Sequence, residues 1–148
     1  MKIYIGADHN GFQLKHDLIG MLRRAGHDVV DEGDAEYHPQ DDFPQFAGRV
    51  VNAMLADEDN SARGILICAS GQGMCIAANR HKGIRASLCW DLYEARASRN
   101  DDDSNVLCLP SRVVSPLQAE AIVSTWLATP FAGAPRFVRR LKELDNLS

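Results

Sequence analysis

The stretch that decides the fold is Gly64-Ile65-Leu66-Ile67-Cys68-Ala69-Ser70-Gly71-Gln72-Gly73, near the middle of the chain. Its first half is a continuous apolar run, which is the pattern of a strand buried on both faces of a parallel sheet. Its second half is a turn of small residues that opens a segment with helical spacing over residues 73–79. We therefore predict a strand that passes into a helix through a glycine-rich turn.

The alternation of strand and helix continues in both directions from this stretch. We predict strands at residues 2–6, 27–31, 64–68, 84–88 and 105–109, and helices at 12–25, 43–57, 73–79, 91–100, 116–127 and 135–144. Such an alternation is typical of a doubly wound α/β fold with right-handed crossovers. We expect one domain over residues 1–148, with a five-stranded parallel sheet and an extra C-terminal helix after a Pro/Gly-rich linker.

Composition and charge argue against several classes of protein. The 148 residues are 45% hydrophobic and 24% charged, as in a globular chain. A net charge of −4 provides no basic field for nucleic acid or an anionic membrane. No apolar run reaches the roughly 18 residues of a membrane span, and the N-terminus lacks the apolar stretch of a signal peptide, so we expect a cytoplasmic protein. The four cysteines form no CxxC pair, and we expect them to be thiols.

Polar residues follow the first and the third predicted strands. In an open α/β sheet, ligands bind outside the carboxyl ends of the strands, where the strand order reverses. For a strand order of 2-1-3-4-5, that point lies between the first and third strands. Asp8 and His9 leave the first strand, Cys68 ends the third, and Ser70 lies in the turn behind it. Two polar clusters therefore converge on one crevice.

Each of these features also has a purely structural interpretation. A helix N-terminus can bind an anion through its unpaired N–H groups and its dipole, but a glycine-rich turn is also a common packing device. Asp8 and His9 could simply cap the turn after the first strand. A cysteine at the last position of the strand favours the functional interpretation. The crevice would then hold a nucleophile or base, an acid/base pair and oriented N–H donors, which are the parts of a reactive site.

Arginines supply positive charge in this acidic chain. Arg112 follows the fifth predicted strand, again at a carboxyl end, and its fork-shaped guanidinium group suits phosphate oxygens. Arg136 and Arg140 lie on the last predicted helix. They could also bind phosphate, or they could lie on a solvated helix face.

These motifs together resemble the ribose-5-phosphate isomerase B family, which also includes galactose-6-phosphate isomerase subunits. The resemblance runs over nearly the whole chain and in order. Besides residues 64–73, the segments that carry it are Gly6-Ala7-Asp8-His9-Asn10-Gly11-Phe12, Ile76-Ala77-Ala78-Asn79-Arg80, Gly83-Ile84-Arg85-Ala86 and Ser111-Arg112-Val113-Val114.

The resemblance implies a Rossmann-like three-layer sandwich and an aldose–ketose isomerase of a phosphorylated sugar, with ribose 5-phosphate and ribulose 5-phosphate as the default pair. It implies no metal and no other cofactor. Cys68 matches the proton-abstracting base, and Ser70 matches the hydroxyl residue that assists proton movement between the substrate oxygens. The backbone N–H groups that match the anion hole for the enediolate are those of Gly71, Gln72, Gly73 and Met74.

The resemblance also implies phosphate-binding residues and an assembly. Asp8 and His9 match residues that handle the sugar ring and the phosphate end. The matching phosphate-binding positions are Arg112, Arg136 and Arg140, some of them contributed by a partner subunit. The expected assembly is a homodimer or a dimer of dimers with shared active sites. One subgroup of the family has a glutamate where Met74 stands, so this chain resembles the subgroup with a cysteine base.

The chain departs from the family pattern where the sugar ring would lie. Asp101 stands in place of a histidine that opens the ring, and Asp102 in place of an asparagine that binds hydroxyls, so we keep both as candidate site residues. Phe43 occupies a position where a tyrosine is common and is kept as a binding residue. A tetrose phosphate, which cannot close to a furanose, is therefore an alternative substrate. A non-catalytic sugar-phosphate sensor, or a cysteine hydrolase with His9 as its base, are alternative functions.

Overall fold

Five parallel strands form the centre of the computed structural model, which describes residues 1–147. They are β1 (Lys2–Ala7), β2 (Asp28–Asp31), β3 (Arg63–Cys68), β4 (Ala86–Leu88) and β5 (Val106–Pro110). Every strand pairing is parallel. The predicted five-stranded parallel sheet is therefore confirmed, and each predicted strand is found within two residues of its expected start.

Helices cover both faces of this sheet. Within residues 1–147 they are α1 (Phe12–Arg24), α2 (Phe43–Ala56), α3 (Gln72–Asn79), α4 (Leu92–Asp102), α5 (Pro116–Ala128) and α6 (Pro135–Asp145). One apolar core joins the sheet to α1, α4 and α5, and a second joins it to α2 and α3. The predicted Rossmann-like three-layer sandwich is confirmed. No helix in the described part of the chain has both the length and the apolar character needed to cross a membrane.

The order of the strands differs from the one assumed from the sequence. The sheet runs β2-β1-β3-β5-β4, so the assumed order 2-1-3-4-5 is wrong at its end. All five residues of β5 are buried, whereas the three residues of β4 are only half-buried. An apolar strand buries both faces when it lies inside the sheet, and a short strand is tolerated at an edge. The order still reverses between β1 and β3, and the end of β5 comes to lie beside the end of β3.

A side chain of α3 covers the outer edge of β4. The Asn79 amide donates from Nδ2 to the Ala86 carbonyl oxygen at 2.9 Å and accepts the Ala86 N–H at Oδ1 at 2.8 Å. An uncovered edge strand presents free N–H and C=O groups to other chains. The Asn79 amide occupies two of these groups in the manner of a neighbouring strand.

Local sequence signals fix where the last crossover helix lies. The Ser115 hydroxyl accepts the Gln118 N–H at 3.2 Å, and the Gln118 side chain accepts the Ser115 N–H at 2.8 Å, which is a capping box at the start of α5. Further along α5, the fully buried Trp126 donates from Nε1 to the Ser104 hydroxyl at 2.8 Å. The capping box fixes where α5 begins, and the Trp126–Ser104 bond holds α5 against the segment before β5.

Candidate active site

The carboxyl ends of β1, β3 and β5 meet at the place where the sequence predicts a crevice. The Asp8 N–H donates to the Ile67 carbonyl oxygen at 3.3 Å, which ties the end of β1 to β3. The Arg112 N–H donates to the Ala69 carbonyl oxygen at 3.1 Å, which ties the segment after β5 to the same place. Gly11 allows this approach, because a Cβ there would lie 2.6 Å from Ile67 Cγ2. Residues from three separate motifs thus surround the end of β3.

Cys68 lies at the centre of this crevice as the last residue of β3. Only 6% of the residue is exposed, and its Sγ accepts the Gly71 N–H at 3.2 Å. Gly71 has φ of +74°, and a Cβ there would lie 2.4 Å from Leu88 Cδ1. Ser70 is exposed, and its hydroxyl accepts the Gln72 N–H at 3.3 Å. The turn therefore needs glycine, and it fixes the thiol against a backbone N–H group.

The first turn of α3 supplies backbone donors beside this thiol. Within residues 1–147, the N–H groups of Gly73 and Met74 have no hydrogen-bond acceptor, as is usual at the start of a helix. Such N–H groups form a ready site for an anion. Met74 is fully buried, and its side chain belongs to the core. The turn thus has two unpaired donors, and the binding of an anion by it stays a prediction.

Phe43, the first residue of α2, lies over the donor turn. A Cβ placed on Gly73 would come within 2.7 Å of the Phe43 ring. The residue is exposed, at 37%. Phe43 therefore forms an apolar wall of the crevice next to the unpaired N–H groups.

His9 begins a short 3-10 turn, His9–Gly11, that follows β1, and Asp8 is the N-cap residue of this turn. The Asp8 carboxylate accepts the Asn10 N–H at 3.0 Å, so the capping role considered from the sequence is real. Asp8 is also buried, and this burial raises the pKa of its carboxyl group above the usual value. A buried carboxyl group with a raised pKa also suits a role as an acid or base. The two roles of Asp8 are compatible.

Arg112 reaches the same turn from the other side. Its Nη2 donates to the Asn10 side-chain oxygen at 3.3 Å, and the Ser111 hydroxyl donates to the Asn10 carbonyl oxygen at 2.8 Å. Arg112 is otherwise exposed. Its guanidinium group therefore stands at the rim of the crevice with donors left for an anion.

Asp41 is a site residue that the sequence analysis missed. It comes from the acidic loop before α2, and its Oδ1 accepts the His9 backbone N–H at 2.9 Å and lies 2.8 Å from His9 Nδ1. The donor atoms of Asp8, His9 and Asp41 all lie within 4.8 Å of one another, so these residues could hold a cation. All three already have protein partners, and the absence of a metal cofactor stays a prediction.

The remaining predicted site residues lie near the amino ends of the strands, at the other end of the sheet from Cys68. α4 runs back from the end of β4 towards the start of β5, so Asp101 and Asp102 lie near the amino ends of the strands. The Ala132 N–H donates to the Asn100 carbonyl oxygen at 3.1 Å, which places the start of α6 there too. Six residues of β3 span about 17 Å, so this group is remote from Cys68 of the same chain. The group comprises Asp101, Asp102, Arg136 and Arg140.

Charges within this second group influence one another. Burial, and then the neighbouring Asp101, raise the pKa of the Asp102 carboxyl group, while Arg140 and Arg85 oppose the rise. Arg85 also pairs with Asp103 at 3.2 Å. The acids and arginines at this edge therefore form one mixed cluster, separate from the crevice around Cys68.

A second thiol, that of Cys75, follows directly after the donor residues in α3. Hydrogen bonding, chiefly with Cys108, lowers the pKa of Cys75 to about 7. The Cys75 thiol donates to the Ala86 carbonyl oxygen at 3.4 Å, at the covered edge of β4. Cys75 is therefore reactive in principle, but its thiol is engaged in a hydrogen bond with the edge strand β4. The Cys68 thiol faces the donor turn instead.

Comparisons with known proteins agree with this architecture. Residues 3–144 match a family model described as Ribose/Galactose Isomerase. Ribose-5-phosphate isomerase B of Escherichia coli is 42% identical, over 89% of this chain and 87% of that protein. The solved structure of ribose-5-phosphate isomerase B from Mycoplasma genitalium with bound ribulose-5-phosphate has a TM-score of 0.93 and 37% identity, and covers 97% of this chain and 93% of that one. The enzyme from Clostridium thermocellum gives a TM-score of 0.92 and 41% identity, covering 98% and 95%.

Proposed function

Because the chain belongs to the ribose/galactose isomerase family, we propose that it interconverts an aldose phosphate and a ketose phosphate. Ribose 5-phosphate and ribulose 5-phosphate are the default pair, since the similar proteins carry that name and one was solved with ribulose-5-phosphate. The observation that carries the proposal is the thiol of Cys68 beside the unpaired N–H groups of Gly73 and Met74. A base and a set of anion donors are what enediolate chemistry requires. We further propose a cytoplasmic location, where free thiols such as these persist.

In the proposed mechanism Cys68 acts as the base. Its thiolate takes the proton from C2 of the aldose while the C1 carbonyl becomes part of an enediolate, and the thiol then returns the proton to C1 to give the ketose. Ser70 assists the transfer of a proton from O2 to O1. A positioned base contributes about 10²- to 10⁴-fold to the rate. Each important N–H donor to the enediolate oxygen contributes about 3–4 kcal/mol. Of the predicted donors Gly71 to Met74, those of Gly73 and Met74 are unpaired, whereas those of Gly71 and Gln72 would first have to leave Cys68 Sγ and the Ser70 hydroxyl.

The phosphate group would lie at the rim of the crevice. Arg112 has guanidinium donors there, and Asp8 and His9 close the opposite side of the same turn. A bidentate guanidinium contact suits phosphate geometry. Phe43 adds an apolar wall that separates the enediolate from water.

We also propose that a second copy of the chain completes the site. Arg136 and Arg140, which lie near the amino ends of the strands, would bind the phosphate group of a substrate in the partner's site. Asp101 and Asp102 would contact the sugar of that substrate. Only Phe137 of α6 is buried in its own chain, which leaves most of this helix free for another subunit. Mixing Cys68→Ser with Arg140→Ala protein tests the sharing. Independent sites predict no recovery, whereas shared sites predict about a quarter of wild-type activity, since half the dimers are mixed and each retains one intact site.

A substrate panel with matched cysteine variants tests the chemistry. Wild-type protein should isomerise ribose 5-phosphate, Cys68→Ala should lose this activity while still binding the sugar phosphate, and Cys75→Ser should keep it. Wild-type protein that binds but turns over none of the four- to six-carbon sugar phosphates would support the sensor instead. Faster turnover of erythrose 4-phosphate than of ribose 5-phosphate would make the tetrose phosphate the substrate. A covalent adduct on Cys68 detected by mass spectrometry would favour the hydrolase.

A further inference from the structure

Three of the four free thiols lie on the same face of the sheet. Cys68 and Cys108 belong to the apolar core between the sheet and the helices α2 and α3, and Cys75 packs against this core from α3. Cys108 is fully buried in β5, where it is paired with Leu88 of β4. The proposed mechanism uses only Cys68. Cys75 and Cys108 therefore form a second pair of thiols beside the site.

The two thiols of this pair are joined by a hydrogen bond. The Cys108 thiol donates to Cys75, and this bond is the main reason that the pKa of Cys75 falls to about 7. The same bond, together with burial, raises the pKa of Cys108 well above its usual value. Asn79 Nδ2 also donates to Cys75 Sγ, at 3.5 Å. Two donors thus converge on the sulfur of Cys75, which favours a thiolate on Cys75 and a neutral thiol on Cys108.

Cys75 is also the thiol of this pair that solvent can reach. It is partly exposed on α3, whereas Cys108 and Cys89 are buried. Burial raises the pKa of Cys89 to about 12, so this thiol stays protonated and inert. A partly exposed thiolate with a second thiol beside it is the arrangement of an oxidisable cysteine and its resolving partner.

We propose that Cys75 and Cys108 form a peroxide-sensitive pair, in which Cys75 is oxidised first and Cys108 then closes a disulfide with it. The Cys75 thiolate attacks hydrogen peroxide: an S–O bond forms, the O–O bond breaks and hydroxide leaves, so the peroxide gains the two electrons that sulfur loses. The Cys108 sulfur then attacks the sulfenic sulfur of Cys75. The S–S bond forms, the S–O bond breaks, and the Cys108 proton leaves with the oxygen as water. This modification is separate from the proposed isomerase chemistry.

The disulfide would act on the donor turn through α3. Gly73 and Met74, whose N–H groups are unpaired, come directly before Cys75 in this helix. The two sulfurs of a disulfide lie about 2 Å apart, which is closer than a hydrogen bond allows, so the bond draws α3 towards β5. The donors then move relative to Cys68. Oxidation should therefore lower turnover, and reduction by dithiothreitol should restore it.

The first test maps the oxidation by mass spectrometry. Wild-type protein treated with hydrogen peroxide at neutral pH, and then alkylated, should yield a cross-linked peptide that joins Cys75 to Cys108. Cys108→Ala should stop at a sulfenic acid on Cys75, which dimedone captures, and the matched control Cys89→Ser should form the disulfide as wild type does. The wild-type map decides the question even where Cys108→Ala does not fold. A sulfenic acid that persists on Cys75 in wild-type protein, or oxidation of Cys68 ahead of Cys75, overturns the proposal.

The second test measures turnover of ribose 5-phosphate before and after oxidation. Peroxide should lower the wild-type rate about 10- to 100-fold, reversibly, and leave Cys75→Ser within about 3-fold of its untreated rate, because a displacement of about 1 Å can cost 100-fold. Equal inactivation of Cys75→Ser overturns the inference, and so does an unchanged rate in wild-type protein that carries the disulfide. Untreated wild-type protein that forms the disulfide but isomerises no sugar phosphate overturns the proposed function and leaves the thiol pair standing.

Discussion

Replacing Gly71 by alanine is expected to lower the free energy of unfolding by about 2–4 kcal/mol and to remove most of the activity. Gly71 has φ of +74°, and the left-handed conformation costs an alanine about 1 kcal/mol. The added Cβ would also lie 2.4 Å from Leu88 Cδ1 and 3.2 Å from the Leu109 carbonyl carbon. Because one of these neighbours is backbone, the turn must shift, and overpacking of this kind costs about 1–3 kcal/mol. The shift displaces the Gly71 N–H from Cys68.

Alanine variants of two other glycines separate the conformational cost from the steric cost. Gly133 has φ of +67° but nothing within 4 Å of its Cβ position, so its alanine variant should cost only the conformational part, about 1 kcal/mol. Gly48 lies within α2 with the same open space, so alanine there should stabilise by about 0.5–1 kcal/mol. Urea unfolding followed by circular dichroism, at one fixed protein concentration, gives all three values. Equal losses for the Gly71 and Gly133 variants would refute the steric part of the reasoning.

Three further outcomes are expected. Burial raises the pKa of the Asp8 carboxyl group, so the folded protein binds this proton more tightly than the unfolded chain does. The contribution of Asp8 to stability therefore falls as the pH rises through its folded-state pKa. Asp8→Asn should therefore be more stable than wild type in urea near pH 7 but lose that advantage near about pH 4, and it should lose activity. Trp126→Phe should lose about 2 kcal/mol in thermal or urea unfolding, because it leaves a cavity and breaks the bond to Ser104. Treatment with EDTA should leave turnover of ribose 5-phosphate unchanged, and a loss restored by Mg²⁺ would instead point to a cation at Asp8, His9 and Asp41.

The parts of the fold that follow from local pattern were predictable. The apolar run before Cys68 and the small residues after it require a buried strand and a tight turn, and both are present. The positions of β4 and β5 were not predictable in this way, because hydrophobic periodicity does not specify which strands are neighbours. A signal existed nevertheless, since β5 is the more apolar and the longer of the two strands. Such strands favour the inside of a parallel sheet.

The site was predictable where its residues end a strand. Asp41 was missed because it meets His9 across 32 positions through the conformation of an irregular loop, and acids are common in such loops. The separation of Asp101 from Cys68 could have been deduced. In a fold of alternating parallel strands and helices, each helix returns to the amino ends of the strands. The end of α4 therefore lies far from the carboxyl ends of the strands, where Cys68 lies.

The Asn79 amide that covers β4 also has a consequence for how the protein behaves at high concentration. By filling the hydrogen-bonding positions of Ala86, it prevents two copies from joining their sheets into a continuous ribbon through that strand. The β2 edge remains, but one edge alone can join two copies and cannot extend a sheet without limit. A single side chain thus protects the chain against fibrous polymerisation and leaves limited assembly open.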